Sequence, residues 1–165
     1  MNKIPGKRLD EVMAKIGDLT NKQKLNLGRS LLECLVEHVH TKGNAHRDLQ
    51  NPDNILTDIQ DHAIINFIID FGVGRRNSHR ETIDSLQVQD TFYISRYVNT
   101  CLESYLNNVD DKKLSPALRK KADEFLLITK DWDQVENLSS QEILDMFVDI
   151  YNELIPPAET MGLNF

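Results

Sequence analysis

Three side chains in the first half of the chain are of the type that holds a metal–phosphate group: Asp48, Asn54 and Asp70. Carboxylate and amide oxygens are hard ligands of the kind magnesium takes. Magnesium also keeps several waters, so one carboxylate and one amide are a sufficient protein contribution. A further acid can orient an attacking hydroxyl. Phosphoryl transfer asks little else of a protein, because position and charge, not covalent chemistry, stabilise its transition state. Asp48 and Asn54 stand in a stretch dense in turn-forming residues, His46-Arg47-Asp48-Leu49-Gln50-Asn51-Pro52-Asp53-Asn54-Ile55-Leu56. Asp70 ends the apolar run Ile64 to Ile69 and is followed by Phe71-Gly72.

For these groups to meet, loop and turn must sit at one end of a pair of strands. Ile55–Thr57 and Ile64–Ile69 read as that pair, around a polar Asp58–His62 turn. The second strand is apolar on both faces apart from Asn66, which predicts cover on both sides. Helices flank the hairpin. After a Pro5-Gly6 turn, residues 7–17 read as a short helix with Leu9, Val12, Met13 and Ile16 on one face, stopped by Gly17. Thr20 and Gln23 make a capping box for a longer helix. Its stripe of Leu27, Leu31, Leu35 and Val39 leads to a basic last turn with His38, His40 and Lys42, and Gly43 ends it. Residues 72–87 read as a loop, and a third helix runs from Gln89 to about Leu106. Ser115 caps a fourth helix with Pro116 at its first position, and Trp132 falls in the turn after it. Ser139 and Glu142 cap the last helix, whose inward stripe is Ile143, Met146, Phe147, Ile150 and Leu154. Trp132, Tyr93, Tyr97 and Tyr105 are assigned to the core. The expected fold class is mainly α (α+β), a helical bundle with a short β-hairpin. One domain covers residues 1–157, with a loose tail over 158–165.

In combination, His46-Arg47-Asp48-Leu49, Pro52-Asp53-Asn54-Ile55-Leu56 and Asp70-Phe71-Gly72 resemble the catalytic loop and metal-binding turn of protein kinases, H-R-D-L-x-x-x-N followed by D-F-G. The resemblance covers residues 4 to 106 in motif terms, and the later helices fit the family's helical C-lobe by number and length. It implies a kinase C-lobe-like bundle whose hairpin carries the catalytic loop and the metal turn. It implies Asp48 as catalytic base, Asn54 and Asp70 as magnesium ligands, Leu56 beneath the adenine of ATP and Ile69 bordering it. Asp90, placed at the opening of the third helix, is similar to the acid that braces the catalytic loop from below. By the same resemblance His46 packs against the Phe71 region.

The chain departs from the family's pattern at four points. Asp48 and Asn54 are six positions apart where the motif has five, so either the loop bulges or Asp53 is the ligand. Gln50 replaces the lysine that contacts the transferred phosphate in serine/threonine kinases. No A-P-E follows the metal turn, and only 17 residues separate Gly72 from Asp90, as in atypical and bacterial-effector kinases. No Gly-rich loop, V-A-I-K lysine or partner glutamate precedes the hinge. Three readings therefore stand. The first is ATP- and magnesium-dependent phosphoryl transfer to a protein Ser/Thr, completed by an N-lobe or a partner. The second is a catalytically silent pseudokinase-type binding module. The third is a small-molecule phosphotransferase of the aminoglycoside-kinase kind.

Composition narrows the setting. Of 165 residues, 40% are hydrophobic and 27% charged, which suits a folded domain with one core. A net charge of −7 argues against non-specific nucleic-acid binding. No apolar run approaches the roughly 20 residues that span a bilayer, and Met1 to Gly6 carries no secretory h-region. Cys34 and Cys101 lie in apolar-periodic stretches and read as buried free thiols. Together these predict a cytoplasmic protein, the cytoplasm being that of a host cell if the chain is a secreted effector. Arg75, Arg76, His79 and Arg80 form a basic cluster suited to a phosphate or an acidic surface, or simply a solvated loop. His38, His40 and His46 lack the cysteine or carboxylate spacing of a zinc site.

Overall fold

Each long helix starts where a side-chain oxygen closes its first turn. The computed structural model describes residues 4–60, 63–71, 82–110 and 113–155. In chain order the elements are β1 (Lys7–Arg8), α1 (Leu9–Met13), α2 (Asn21–His38), β2 (Ile55–Ile59), β3 (Ile64–Ile68), α3 (Ile83–Leu106), α4 (Pro116–Lys130), α5 (Trp132–Val135) and α6 (Ser140–Leu154). Both predicted capping boxes form, Thr20 with Gln23 at α2 and Ser139 with Glu142 at α6. Ser115 caps α4 with Pro116 at its start. Past α2, a single 3-10 turn over His40–Lys42 ends at Gly43, whose φ of 70° is the left-handed conformation that glycine adopts without a steric cost.

The fold is mainly helical with a small antiparallel sheet in the order β1-β2-β3. One connected core runs from Leu9 through α2, α3 and α4 to Ile150 on α6. At its centre Gly28 of α2 lies under the Phe147 ring, with Val98 of α3 beside it. Burying each leucine of the α2 stripe contributes about 1.5–3 kcal/mol. Among the described residues no helix is long and apolar enough to cross a membrane.

The sheet's inner face is pinned to α2 by polar bonds as well as by apolar contact. Thr57 Oγ1 donates to Asn66 Oδ1 (2.7 Å), Asn66 Nδ2 donates to Ser30 Oγ (3.0 Å), and Ser30 Oγ donates to the Ile64 carbonyl (2.9 Å). Cys34 Sγ donates to the Asn66 carbonyl. This chain of bonds allows an asparagine to be buried in the sheet without an orphaned polar group.

Several expectations need correction. Residues 7–17 are not one helix. Lys7 and Arg8 pair with Thr57 and Leu56 as a first strand, α1 follows, and a 3-10 turn spans Ile16–Asp18. The hairpin's first strand extends past Thr57 to Ile59. The second strand is covered on one face only: the inward-facing polar residue Asn66 is buried, and the apolar Ile65 is 40% exposed. The third helix begins at Ile83, where Thr82 caps it, so residues 83–87 are helix and not loop. Asp90 therefore sits two turns inside the helix, not at its opening. Trp132 starts a short helix and is 39% exposed, packed edge-on against Phe92. Of the tyrosines, Tyr105 is buried and Tyr93 and Tyr97 are half-buried. Gly72, the cluster of Arg75, Arg76, His79 and Arg80, and the tail over 158–165 lie outside the described residues.

Candidate functional site

The loop from Asn44 to Asn54 has almost no regular structure of its own, so its shape comes from what holds it. The carboxylate of Asp90, fully buried on α3, accepts the backbone N–H of His46 with Oδ2 and that of Arg47 with Oδ1 (2.9 Å). Arg47 carries a φ of 74°, an uncommon conformation for a side chain larger than glycine's. Two convergent bonds to one buried carboxylate are the kind of restraint that keeps such a residue in place. Leu49 is fully buried, and Tyr97 Oη donates to the carbonyls of Leu49 (3.4 Å) and Gln50 (3.2 Å).

The next residues resolve the spacing between Asp48 and the metal-ligand candidate. Asn51 N–H donates to the Asp48 carbonyl, and the Asn51 side chain caps a 3-10 turn over Pro52–Asn54. That turn closes the span between Asp48 and Asn54. Asn54, nearly buried, donates from Nδ2 to both the Asp48 carbonyl (2.9 Å) and Asp48 Oδ2 (3.0 Å). With Nδ2 committed to Asp48, Oδ1 is the Asn54 atom left to ligate a cation. Asp53 points elsewhere: its carboxylate is exposed and pairs with Arg8 at 3.2 Å. The geometry thus brings Asn54, not Asp53, to Asp48. Gln50 Nε2 reaches Asp48 Oδ1 only at 3.5 Å.

The backbone delivers Asp70 to the same end of the hairpin. Ile69 N–H donates to the Asn54 carbonyl (2.9 Å), and His46 Nε2 donates to the Ile69 carbonyl (2.7 Å). A carbonyl only accepts, so the proton is on Nε2, and the buried Nδ1 has no partner. The His46 ring also packs edge-on against Phe71 with centroids 4.8 Å apart. Between these two fixed neighbours Asp70 is exposed, with a φ of 61°. Leu56 and Phe67 stand opposite one another across β2 and β3, on the sheet face turned away from α2. Strand alternation puts Ile65 and Ile69 on that same face. Leu56 and Ile69 are half-buried.

Arg8 pairing with Asp53 depends on a strand the sequence pattern did not reveal. Tyr97, expected in the core, is half-buried and holds the loop through its hydroxyl. His40 is a further site neighbour, closing the polar floor beneath Asp90. Its Nδ1 lies 2.7 Å from Ser140 Oγ and its Nε2 lies 3.7 Å from Asp90 Oδ2. Nothing local in the sequence marks a contact between residues 100 positions apart. Among the described residues no three His, Cys, Asp or Glu side chains group as a metal cluster. Asp48, Asn54 and Asp70 are two carboxylates and an amide, a set suited to a magnesium ion that keeps its waters. No protein-family model, curated protein or solved structure matches the chain.

Proposed function

We propose that this chain is a protein kinase-like helical lobe whose Asp48, Asn54 and Asp70 form a magnesium–nucleotide floor. In this reading Asp48 orients an acceptor hydroxyl, while Asn54 and Asp70 hold magnesium against the phosphates of ATP. Leu56 and Ile69 lie under the adenine. Phosphoryl transfer to a protein Ser/Thr in the cytoplasm, its own or a host's, would require a covering lobe, from a further segment or from a partner. Cover matters because an open site leaves charge poorly stabilised and lets water compete as nucleophile.

The observation that carries the reading is the support given to the candidate residues. Asp90 fixes the amides of His46 and Arg47, His46 fixes the Ile69 carbonyl, and Asn54 fixes Asp48. Loop, turn and hairpin are thereby tied together around the polar groups the chemistry needs. The test is the melting temperature with millimolar magnesium and ATP. Binding to the folded state raises it, and Asp70→Ala abolishes the rise. No rise in the wild-type protein overturns the reading.

A second reading rests on the outer sheet face. Ile65 is 40% exposed, and Ile4 and Phe71 are likewise exposed at 44% and 49%. Apolar Leu56, Phe67 and exposed Ile65 on one sheet face suit a catalytically silent module that binds a protein there. It predicts association through this face that Ile65→Lys weakens, with no response to nucleotide.

A further inference from the structure

Helix α4 buries Leu118, Ala122, Phe125 and Thr129 and presents the opposite face to solvent. On that face Leu127 is 72% exposed, more than any other large apolar side chain among the described residues. The charges beside it are segregated, with Arg119 and Lys120 in the first half of the helix and Asp123 and Glu124 in the second.

This order is the less favourable one for a helix on its own. Cations near the N-terminus and anions towards the C-terminus oppose the macrodipole. The intrahelical pairs Arg119–Asp123 and Lys120–Glu124 run with the cation first, the weaker orientation at i,i+4. What the order does provide is self-complementarity. If a second α4 lies antiparallel across the first, with the axis between Lys121 and Ala122, three pairings follow. Arg119 meets Glu124, Lys120 meets Asp123, and Leu127 meets Pro116. The same register satisfies both copies, as an isologous twofold contact requires. The neighbouring cations do not disturb it: Lys121 is held by Asp149 and Glu153 of α6, and Lys130 by Glu103 of α3.

We propose that α4 is the contact through which two copies of this chain associate, packed antiparallel about a twofold axis. One helix face is a small contact, so the dimer is weak and concentration-dependent. Its rim of exposed charge makes it weaker still in high salt.

The test is sedimentation equilibrium of the full chain at low salt, from micromolar to millimolar concentration. The average mass is expected to rise from 19.0 kDa towards twice that value. Arg119→Glu with Lys120→Glu, and separately Asp123→Lys with Glu124→Lys, are each expected to weaken association by about tenfold or more. All four positions are exposed, so both variants fold, with a modest fall in melting temperature from the like-charge i,i+4 pairs they create, and an unchanged helical circular-dichroism spectrum verifies the fold. The two weakened variants mixed together restore every opposite-charge pair and are expected to form a heterodimer. A wild-type protein that stays monomeric throughout overturns the proposal. So do variants that associate as well as wild type, and so does a mixture that remains monomeric.

Discussion

The carboxylate of Asp90 accepts the backbone N–H groups of both His46 and Arg47, reaching from the interior of α3 to a loop 44 positions earlier in the chain. The side chain is fully buried, and the His40 ring lies 3.7 Å away. The loop carrying Asp48 thus depends on one buried acid. Asp90→Asn keeps the volume but turns an amide N–H₂ towards one of the two donors. It should cost about 2–4 kcal/mol of unfolding free energy, read by urea denaturation. An equally stable variant would show that the two bonds do not hold the loop.

Asp70 is exposed and left-handed, so substitution there separates backbone stability from the proposed function. Asp70→Gly suits a φ of 61°, whereas Asp70→Ala keeps the Cβ that is strained in this conformation. The glycine variant is expected to be more stable than the alanine variant by about 1 kcal/mol. Both remove the carboxylate, so neither should gain melting temperature from magnesium and ATP. A response in either one removes Asp70 from the metal floor.

Gly28 tests the packing of α2 against α6. Alanine is the better helix former by about 1 kcal/mol. Here, however, its Cβ would come within 2.9 Å of Phe147 Cζ, and the Phe147 ring is itself buried against Phe125. Overpacking should outweigh propensity, giving Gly28→Ala a net loss of about 1–2 kcal/mol. A stabilised variant would mean that the Phe147 ring moves aside freely.

The two thiols give the protein an alkaline limit. Burial pushes Cys34 up from 9.0 to about 11 and Cys101 up to about 12. A thiol whose folded pKa lies above its unfolded value favours folding fully below the unfolded value, and the advantage is lost as pH rises through the folded one. Stability should therefore decline from pH 9 upward, by about 1.4 kcal/mol per pH unit for each thiol, levelling off near pH 11 for Cys34 and near pH 12 for Cys101. Below pH 9 both stay protonated and shielded, so a thiol reagent should label them only after unfolding. Fast labelling of the native protein at pH 8 would contradict the burial.

Much of the architecture was legible because it is written in short-range patterns. A capping box needs only residues three apart, so Thr20–Gln23 and Ser139–Glu142 mark helix starts before any packing is known. Helical stripes such as Leu27, Leu31 and Leu35 follow from a period of 3.6 residues. Local chemistry also announced the left-handed stop at Gly43 and the turn-rich loop around Asp48. The buried thiols were readable from their apolar surroundings. The candidate set Asp48, Asn54 and Asp70 came from residue type, order and flanking elements.

What the chain could not disclose locally, tertiary contact decided. Two residues, Lys7 and Arg8, are a strand only because β2 offers them an edge. Which of Asp53 and Asn54 lies against Asp48 turned on Arg8, which pairs with Asp53, and on a 3-10 turn that aims Asn54 at Asp48. Asn66 is buried and Ile65 exposed because Thr57 and Ser30 satisfy the amide on the side facing α2. The sequence by itself determined where α2, α4 and α6 start, how they are capped and which polar residues flank the hairpin. Which side of the sheet is covered, and which acid holds the loop, rests on contacts between residues far apart in the chain, and no local periodicity encodes those.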